Sequence, residues 1–351
     1  LPLSHSYEHT AGQFFPVSIG AQIYYAERIE TLGADMIEAR PTLMTAVPRL
    51  YESLHQRITR GLAREGGLKE RLFTLALALG VRTYEGRDPL SPWEKVVNGV
   101  LDVLVRRKLR MRFGGRLKAL ISGGAPLNYQ IGLFFTALGL RLLQGYGQTE
   151  SAPVISCNPA GDNRISTVGP ALKGVTVKIA DDGEILVQGE LVMQGYWDDA
   201  KATAEAIQDG WLYTGDIGEM DEDGYIRITD RKKDIIVNSG GDNISPQRIE
   251  GLLTLEPEIA QAMVYGDKRP HLVALIVPEE ELAAMPRGMG SVRRAVARAM
   301  DCVNEKLGLV ERVRHFVLAD ESFTVENGLM PPTMKIRRHK IHEIYGAALE
   351  A

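Results

Sequence analysis

Residues 144–151 read QGYGQTES, and their side chains are of the types that handle phosphate and a hard cation. Two glycines, Gly145 and Gly147, let the backbone come close to a ligand. The Thr149 hydroxyl can donate to a phosphate oxygen. Glu150 offers carboxylate oxygens that suit Mg2+, a cation usually held through one or two carboxylates together with substrate phosphates. The same residues would also make a tight turn with an exposed acid, so the loop alone leaves both readings open. Other chemistries lack their signatures. No GxxxxGKS/T loop cradles a triphosphate, no HExxH occurs and the seven histidines are scattered, and no GxSxG elbow presents a serine nucleophile.

The elements that must position this loop are legible around it. The apolar run RLLQ before it reads as a buried strand, and so does LKALISGG before SGGAP (122–126). Between them, PLNYQIGLFFTALG reads as a helix. Strand, loop, helix, strand, loop is the order of a parallel sheet with a crossover helix, and ligands on such sheets sit beyond the carboxyl ends of the strands. Both loops fall there. Upstream, strands and helices are expected to alternate through the first third. A helix is predicted over 91–113, with Ser91 as N-cap, Pro92 at the first position and Glu94 closing a capping box. The runs VTVKIADDGEILVQG and IGEMDEDGYIRITD alternate in polarity around DDG and DEDG turns, which predicts a β-rich subdomain over 165–230. A smaller α+β region follows, with helices near 246–254 and 291–307, strands near 260–277 and a basic tail, MKIRRHK. The domain boundary is expected at Asp230–Lys233, giving domains 1–230 and 231–351.

The chain has 351 residues, 44% hydrophobic and 25% charged, with a net charge of −4. This is an ordinary globular composition with no general attraction for nucleic acid. Cys157 and Cys302 lie far apart and form no CxxC, which points to a reducing, cytoplasmic setting. The start, LPLSHSYEHT, has no methionine and no basic n-region, and its residues read as buried, which predicts a fragment or a processed chain. The uncharged windows 10–26 and 119–140 carry Gly, Pro, Ser and Gln and read as core, not as membrane spans. RRKLRMR (106–112) reads as a solvated helix face, with contact to an acidic lipid surface as the alternative.

Six motifs stand in one order: SGGAPL, GYGQTE, GEILVQGELVMQGYW, GWLYTGD, DGYIRITDRKKDIIVNSGG and PTMKIRR. That ordered set resembles the adenylate-forming (AMP-binding) superfamily of acyl-CoA synthetases, luciferases and peptide-synthetase adenylation domains. LPLSHSYEHT, the 209–234 stretch and PTMKIRR look most like long-chain fatty-acid–CoA ligases. The resemblance implies an α/β fold, with a large AMP-binding domain of parallel sheets, helices and a β-rich part, followed by a small mobile α+β domain. It also implies activation of a long-chain fatty acid by ATP through acyl-adenylate, then transfer to CoA. The family's Ser/Thr/Gly-rich phosphate loop precedes the segment that LPLSHSYEHT resembles, so the large domain is expected here without its first part.

Residue by residue, the resemblance places Gly124 and Ala125 against one face of adenine and Gly145 and Tyr146 at the other. Thr149 would hold the α-phosphate, Glu150 the Mg2+ and Asp216 the ribose hydroxyls, where a turn or cap role is the alternative. Arg231 would bind the ribose or phosphate side, and Lys233 falls at the hinge. His5 would lie near the acyl carboxylate, and Gly240 would let the pantetheine arm of CoA pass. Lys335 matches the catalytic lysine, although TMK stands where NGK is frequent, and a basic tail is the alternative. Two rival functions stay open: an acyl-AMP ligase that loads a carrier protein, and a nucleotide-binding fragment without activity. Since fatty acids partition into membranes, peripheral contact with a membrane also stays open.

Overall fold

The computed structural model describes residues 3–28, 31–86, 88–283, 289–331 and 336–350. They fall into two units, Leu1–Ile228 and Thr229–Ala351. The division lies just before the stretch Asp230–Lys233 at which the sequence places it.

The first unit holds a four-stranded sheet in the order β1 (Leu43–Ala46), β2 (Ala119–Ser122), β3 (Leu142–Tyr146), β4 (Ser156–Cys157). β1, β2 and β3 are parallel, with Ser122 opposite Gln144. β4 turns back antiparallel on the end of β3, pairing Gly145 with Cys157. The central strands are short continuous apolar runs because both their faces are covered. The crossover helix Tyr129–Ala137 buries Ile131, Phe134 and Phe135. Its first turn is capped by Asn128, whose side chain accepts the Gln130 N–H at 2.8 Å.

Among the described residues, β1 is the one strand before residue 119, so the first third does not alternate as expected. Two long helices fill it instead, the charged, amphipathic Pro48–Glu65 and the more apolar Gly67–Glu85. LFTLALALG is apolar enough for a strand, but the run around it is too long for one. At Gly80 an added Cβ would stand 2.2 Å from the Ala137 carbonyl oxygen, so helix Gly67–Glu85 lies backbone to backbone on the crossover helix. The capping box at Ser91 is formed in both directions. Helix Pro92–Leu101 continues through a π-helical turn, Asp102–Arg106, into Arg107–Arg112.

That continuation corrects the reading of RRKLRMR as a single solvated face. Arg106 is 5% exposed. Its guanidinium donates to the carbonyls of Ala137 (2.9 Å), Asn98 (3.2 Å) and Ala76 (2.5 Å) and to Asn98 Oδ1 (2.7 Å). Leu109 is buried, and Arg110 pairs with Asp102 at 2.8 Å. Successive helical residues point about 100° apart, so Arg106 and Leu109 face inward while Arg107 and Lys108 face solvent. The window 119–140 is core, as expected, but the window 10–26 is not: Phe14, Phe15, Val17, Ile19, Tyr24 and Tyr25 are exposed. Among the described residues no element covers them.

The β-rich part is a five-stranded sheet, β5 (Thr176–Ile179), β6 (Glu184–Gln188), β8 (Trp211–Met220) and β7 (Ile207–Gln208) in that order, with β9 (Ile226–Arg231) on β8. The DDG turn joins the antiparallel pair β5–β6, where the Gly183 N–H donates to the Ala180 carbonyl at 2.9 Å. The DEDG turn lies between β8 and β9. Ile155, Ile185, Val187, Leu212 and Ile226 form its core.

The second unit has the hairpin β10 (Ile236–Val237) and β11 (Asn243–Ile244), helix Pro246–Leu253, and a sheet β12 (Ile259–Tyr265), β13 (Leu272–Pro278), β14 (Val313–Leu318). Helix Met289–Glu305 packs on one face, with Val296, Met300 and Val303 buried beside Ile249 and Leu253. Of the expected basic tail, Arg338–Lys340 open helix Arg338–Glu350, which buries Ile341, Tyr345 and Leu349 on the other face.

Candidate nucleotide site

The parallel register brings the ends of β2 and β3 side by side, so the loops Gly123–Ala125 and Gly145–Glu150 leave the sheet as neighbours. Gly124 has φ +80°, a left-handed conformation that side chains disfavour. Gly147 is required for space, since an added Cβ would stand 1.5 Å from the Pro153 carbonyl oxygen. The loop therefore folds back tightly enough to expose Thr149 while Glu150 stays half-buried.

The tyrosine of this loop and the aspartate of YTGD, widely separated in sequence, are joined directly. The Tyr146 hydroxyl donates to Asp216 Oδ2 at 2.7 Å, and the residues are 8% and 5% exposed. The Asp216 N–H donates to Thr214 Oγ1 (3.1 Å), and the Gly215 N–H donates to buried Glu184 Oε1 (2.8 Å). Asp216 is thus a buried carboxylate inside β8, not a residue of a turn or cap.

Ser6 and Tyr7, inside LPLSHSYEHT, reach the same loops. Ser6 Oγ lies 3.2 Å from Thr149 Oγ1. His5, half-buried, accepts the Tyr7 N–H on Nδ1 at 3.2 Å. The Tyr7 ring lies against Gly123, where an added Cβ would come within 3.1 Å of it. Tyr7 and Tyr51 both donate to the Ile121 carbonyl, at 3.2 and 2.9 Å. Burial, reinforced by the Glu8 charge, pushes the Tyr7 phenol well above its ordinary range, so it stays a neutral donor. Burial also raises the Cys157 thiol, opposite Gly145 on β4. Glu150 receives the Tyr196 hydroxyl on Oε1 at 2.9 Å. Ser6, Tyr7 and Tyr196 were not singled out from the sequence; only their place inside LPLSHSYEHT and MQGYW marked them.

The first unit thus brings His5, Gly124, Ala125, Gly145, Tyr146, Thr149, Glu150 and Asp216 onto loops and strands that touch one another. Among the described residues, no three His, Cys, Asp or Glu side chains stand close enough to hold a metal by themselves. A single carboxylate beside a hydroxyl donor is a donor set that fits Mg2+ carried in with phosphates. Arg231, Lys233 and Gly240 belong to the second unit. Arg231 ends β9 and Lys233 lies in the turn after it; both are exposed, and the Asp234 and Ile235 N–H groups both donate to the Arg231 carbonyl. Gly240 is at the tip of the β10–β11 hairpin, its N–H donating to Asn238 Oδ1 at 2.9 Å. Next to Arg231, burial raises the Asp230 carboxyl above the usual range. Lys335 lies outside the described residues.

Residues 1–197 match the AMP-binding enzyme family, and residues 233–350 match the AMP-binding enzyme C-terminal domain. A long-chain-fatty-acid–CoA ligase of Mycobacterium bovis, FadD15, is 37% identical over 333 residues, covering 89% of this chain and 54% of that protein. The peroxisomal long chain acyl-CoA synthetase 6 of Arabidopsis thaliana is 34% identical, covering 99% of this chain and 54% of that protein. The chain thus spans about half the length of these relatives. Among solved structures, the A domain of carboxylic acid reductase from Segniliparus rugosus, in complex with AMP and a co-purified carboxylic acid, superposes with a TM-score of 0.75. It is 25% identical and covers 100% of this chain and 53% of that one. With more than half its length matched by the family and its α/β architecture shared with that structure, the chain belongs to the AMP-binding enzyme family.

Proposed function

We propose that this chain serves the ATP-dependent conversion of a long-chain fatty acid to its CoA thioester. The observation that carries the reading is the 2.7 Å bond between Tyr146 and Asp216, which joins two separate motifs into one buried wall beside Thr149 and Glu150. Relatives at 34–37% identity bear the names of long-chain fatty-acid–CoA ligases or synthetases.

In the first step a fatty-acid carboxylate oxygen bonds to the α-phosphorus of ATP, and pyrophosphate leaves. In the second, the CoA thiolate bonds to the acyl carbon, and AMP leaves. The attacking carboxylate is already ionised near neutral pH, so no general base is needed. The protein's part is positioning and charge stabilisation. Gly124, Ala125, Gly145 and Tyr146 bound the adenine, Asp216 accepts the ribose hydroxyls, and Thr149 donates to the α-phosphate. Glu150 is the residue that would hold Mg2+, which when bound supplies positive charge to the phosphate oxygens. His5 lies on the acyl side. In the second unit, Arg231 contributes to the nucleotide, Lys233 serves as hinge and Gly240 admits the pantetheine arm. Lys335 is assigned the adenylation step. The units act as a large AMP-binding domain, 1–230, and a small mobile one, 231–351.

No helix among the described residues is long and apolar enough to cross a membrane. The exposed stripe Trp93, Val96, Val100 and Val103, followed by exposed Arg107 and Lys108, supports peripheral contact of a cytoplasmic protein with an anionic lipid surface.

The test is calorimetric binding of AMP to the chain and to Asp216→Ala. Loss of charge-assisted bonds to hydroxyls, each about 1.5–3 kcal/mol, should weaken AMP by at least about tenfold. A folded variant that binds AMP like the parent refutes the ribose assignment. Thioester formation from supplied acyl-adenylate with CoA, but not with a phosphopantetheinyl carrier, fixes the acceptor.

A further inference from the structure

The segment Met193–Tyr196 is latched onto Glu150 from 46 positions away in the chain. The Met193 N–H donates to the Glu150 carbonyl at 2.9 Å, and the Tyr196 hydroxyl donates to its Oε1 at 2.9 Å. The tyrosine is itself held. Its N–H donates to Thr203 Oγ1 at 2.9 Å, and that hydroxyl donates to the Asp199 carbonyl at 2.7 Å. Asp199 Oδ1 in turn caps helix Ala200–Ala206 through the Ala202 N–H at 2.9 Å. At Gly195 an added Cβ would stand 2.7 Å from Thr203 Cγ2, so the turn presses directly on that helix.

We propose that Tyr196 is the positioning residue of the Glu150 carboxylate, holding it in the orientation in which it meets a divalent cation. This rests on the reading of Glu150 as the metal carboxylate. A half-buried glutamate side chain with nothing to hold it still samples several rotamers, and ordering it on cation binding opposes that binding. A bond from a tyrosine anchored through helix Ala200–Ala206 orders it beforehand. The donor is suited to the task because it is neutral. A lysine or arginine in its place would cancel the charge that attracts the cation, whereas a hydroxyl on Oε1 leaves that charge and most of the carboxylate's acceptor sites intact. Tyr196 is 41% exposed, so removing its hydroxyl opens no core cavity.

Mn2+ is the probe, titrated into the 351-residue chain with ATP present and followed by electron paramagnetic resonance. AMP binding without metal is measured beside it. Tyr196→Phe should weaken Mn2+ about tenfold, leave AMP binding within twofold and leave the thermal unfolding midpoint unchanged. In a Glu150→Gln background the same substitution should have no further effect on Mn2+, since the two residues act through one contact. Unchanged Mn2+ binding in Tyr196→Phe overturns the proposal, and so does an equal loss of Mn2+ and AMP, or additivity of the two substitutions. If Glu150→Gln leaves Mn2+ binding intact, or the parent binds no Mn2+ with ATP, the metal reading of Glu150 fails and the Tyr196 role falls with it.

Discussion

Replacing Arg338 by methionine should destabilise the second unit in a pH-dependent way. Arg338 opens helix Arg338–Glu350. Its Nη2 donates to Glu250 Oε2 at 2.7 Å and its Nη1 to the Val264 carbonyl at 3.2 Å, while Glu250 Oε1 accepts the Val264 N–H at 2.7 Å. Glu250 is 8% exposed. Burial raises its carboxyl above the usual range, and the Arg338 charge, the Arg338 hydrogen bond and the Val264 N–H pull it back. A carboxyl raised on folding keeps its proton longer folded than unfolded. Its contribution is therefore greatest at low pH and is lost as the pH climbs above the unfolded value, near ~4.3. Arg338→Met removes two of the opposing influences, so the folded value moves further up and the loss deepens. Breaking one side of a buried pair costs about 3–5 kcal/mol. The Arg338 side chain keeps 24% of its exposure, which places the expectation at the lower end, about 3 kcal/mol. The Val264 amide is the reporter. Its hydrogen-exchange protection, corrected for intrinsic rates, should fall by about two orders of magnitude at pH 8 and hardly at all at pH 4. Glu250→Gln added to Arg338→Met removes both charges and should restore most of the protection. An equal loss at both pH values, no loss at pH 8, or a double variant as weak as the single one would refute the reasoning.

Tyr146→Phe keeps the ring and deletes the bond to Asp216, so the first unit should lose about 1.5–3 kcal/mol. All three tryptophans lie in that unit, so a urea titration followed by tryptophan fluorescence measures it, and an unshifted midpoint would mean that the bond contributes nothing. Gly147→Ala should cost more than about 4 kcal/mol, because its Cβ cannot coexist with the Pro153 carbonyl. Gly161→Ala, where nothing lies within 4 Å, should stay within about 0.5 kcal/mol in the same titration.

Short-range patterns were legible where local chemistry decides structure. The Ser91 capping box, the DDG and DEDG turns and the apolar strands before SGGAP and GYGQTE all occur where their residues predict them, because caps, turns and buried runs depend on near neighbours. Legibility failed where competition is decided at long range. Alternation was expected through the first third, yet it holds one strand among the described residues, and helix Gly67–Glu85 packs on the crossover helix at Gly80, a contact from far along the chain. RRKLRMR looked uniform, yet Arg106 is taken inward by the carbonyls of Ala76, Asn98 and Ala137, which no local pattern announces. The apolar window 10–26 shows the converse: hydrophobicity marks a segment that would be buried, and only the surrounding elements decide whether it is.

For the site, loop chemistry by itself pointed to Thr149 and Glu150 and left a plain turn open, and the order of the six motifs carried the family resemblance, which in turn implied roles for Tyr146 and Asp216. The tertiary structure alone decided which side chains hold those residues in place. Tyr146 meets Asp216, Ser6 meets Thr149 and Tyr196 meets Glu150 across long sequence separations, because sheet register and loop packing, not proximity in the chain, set which hydroxyl reaches which oxygen.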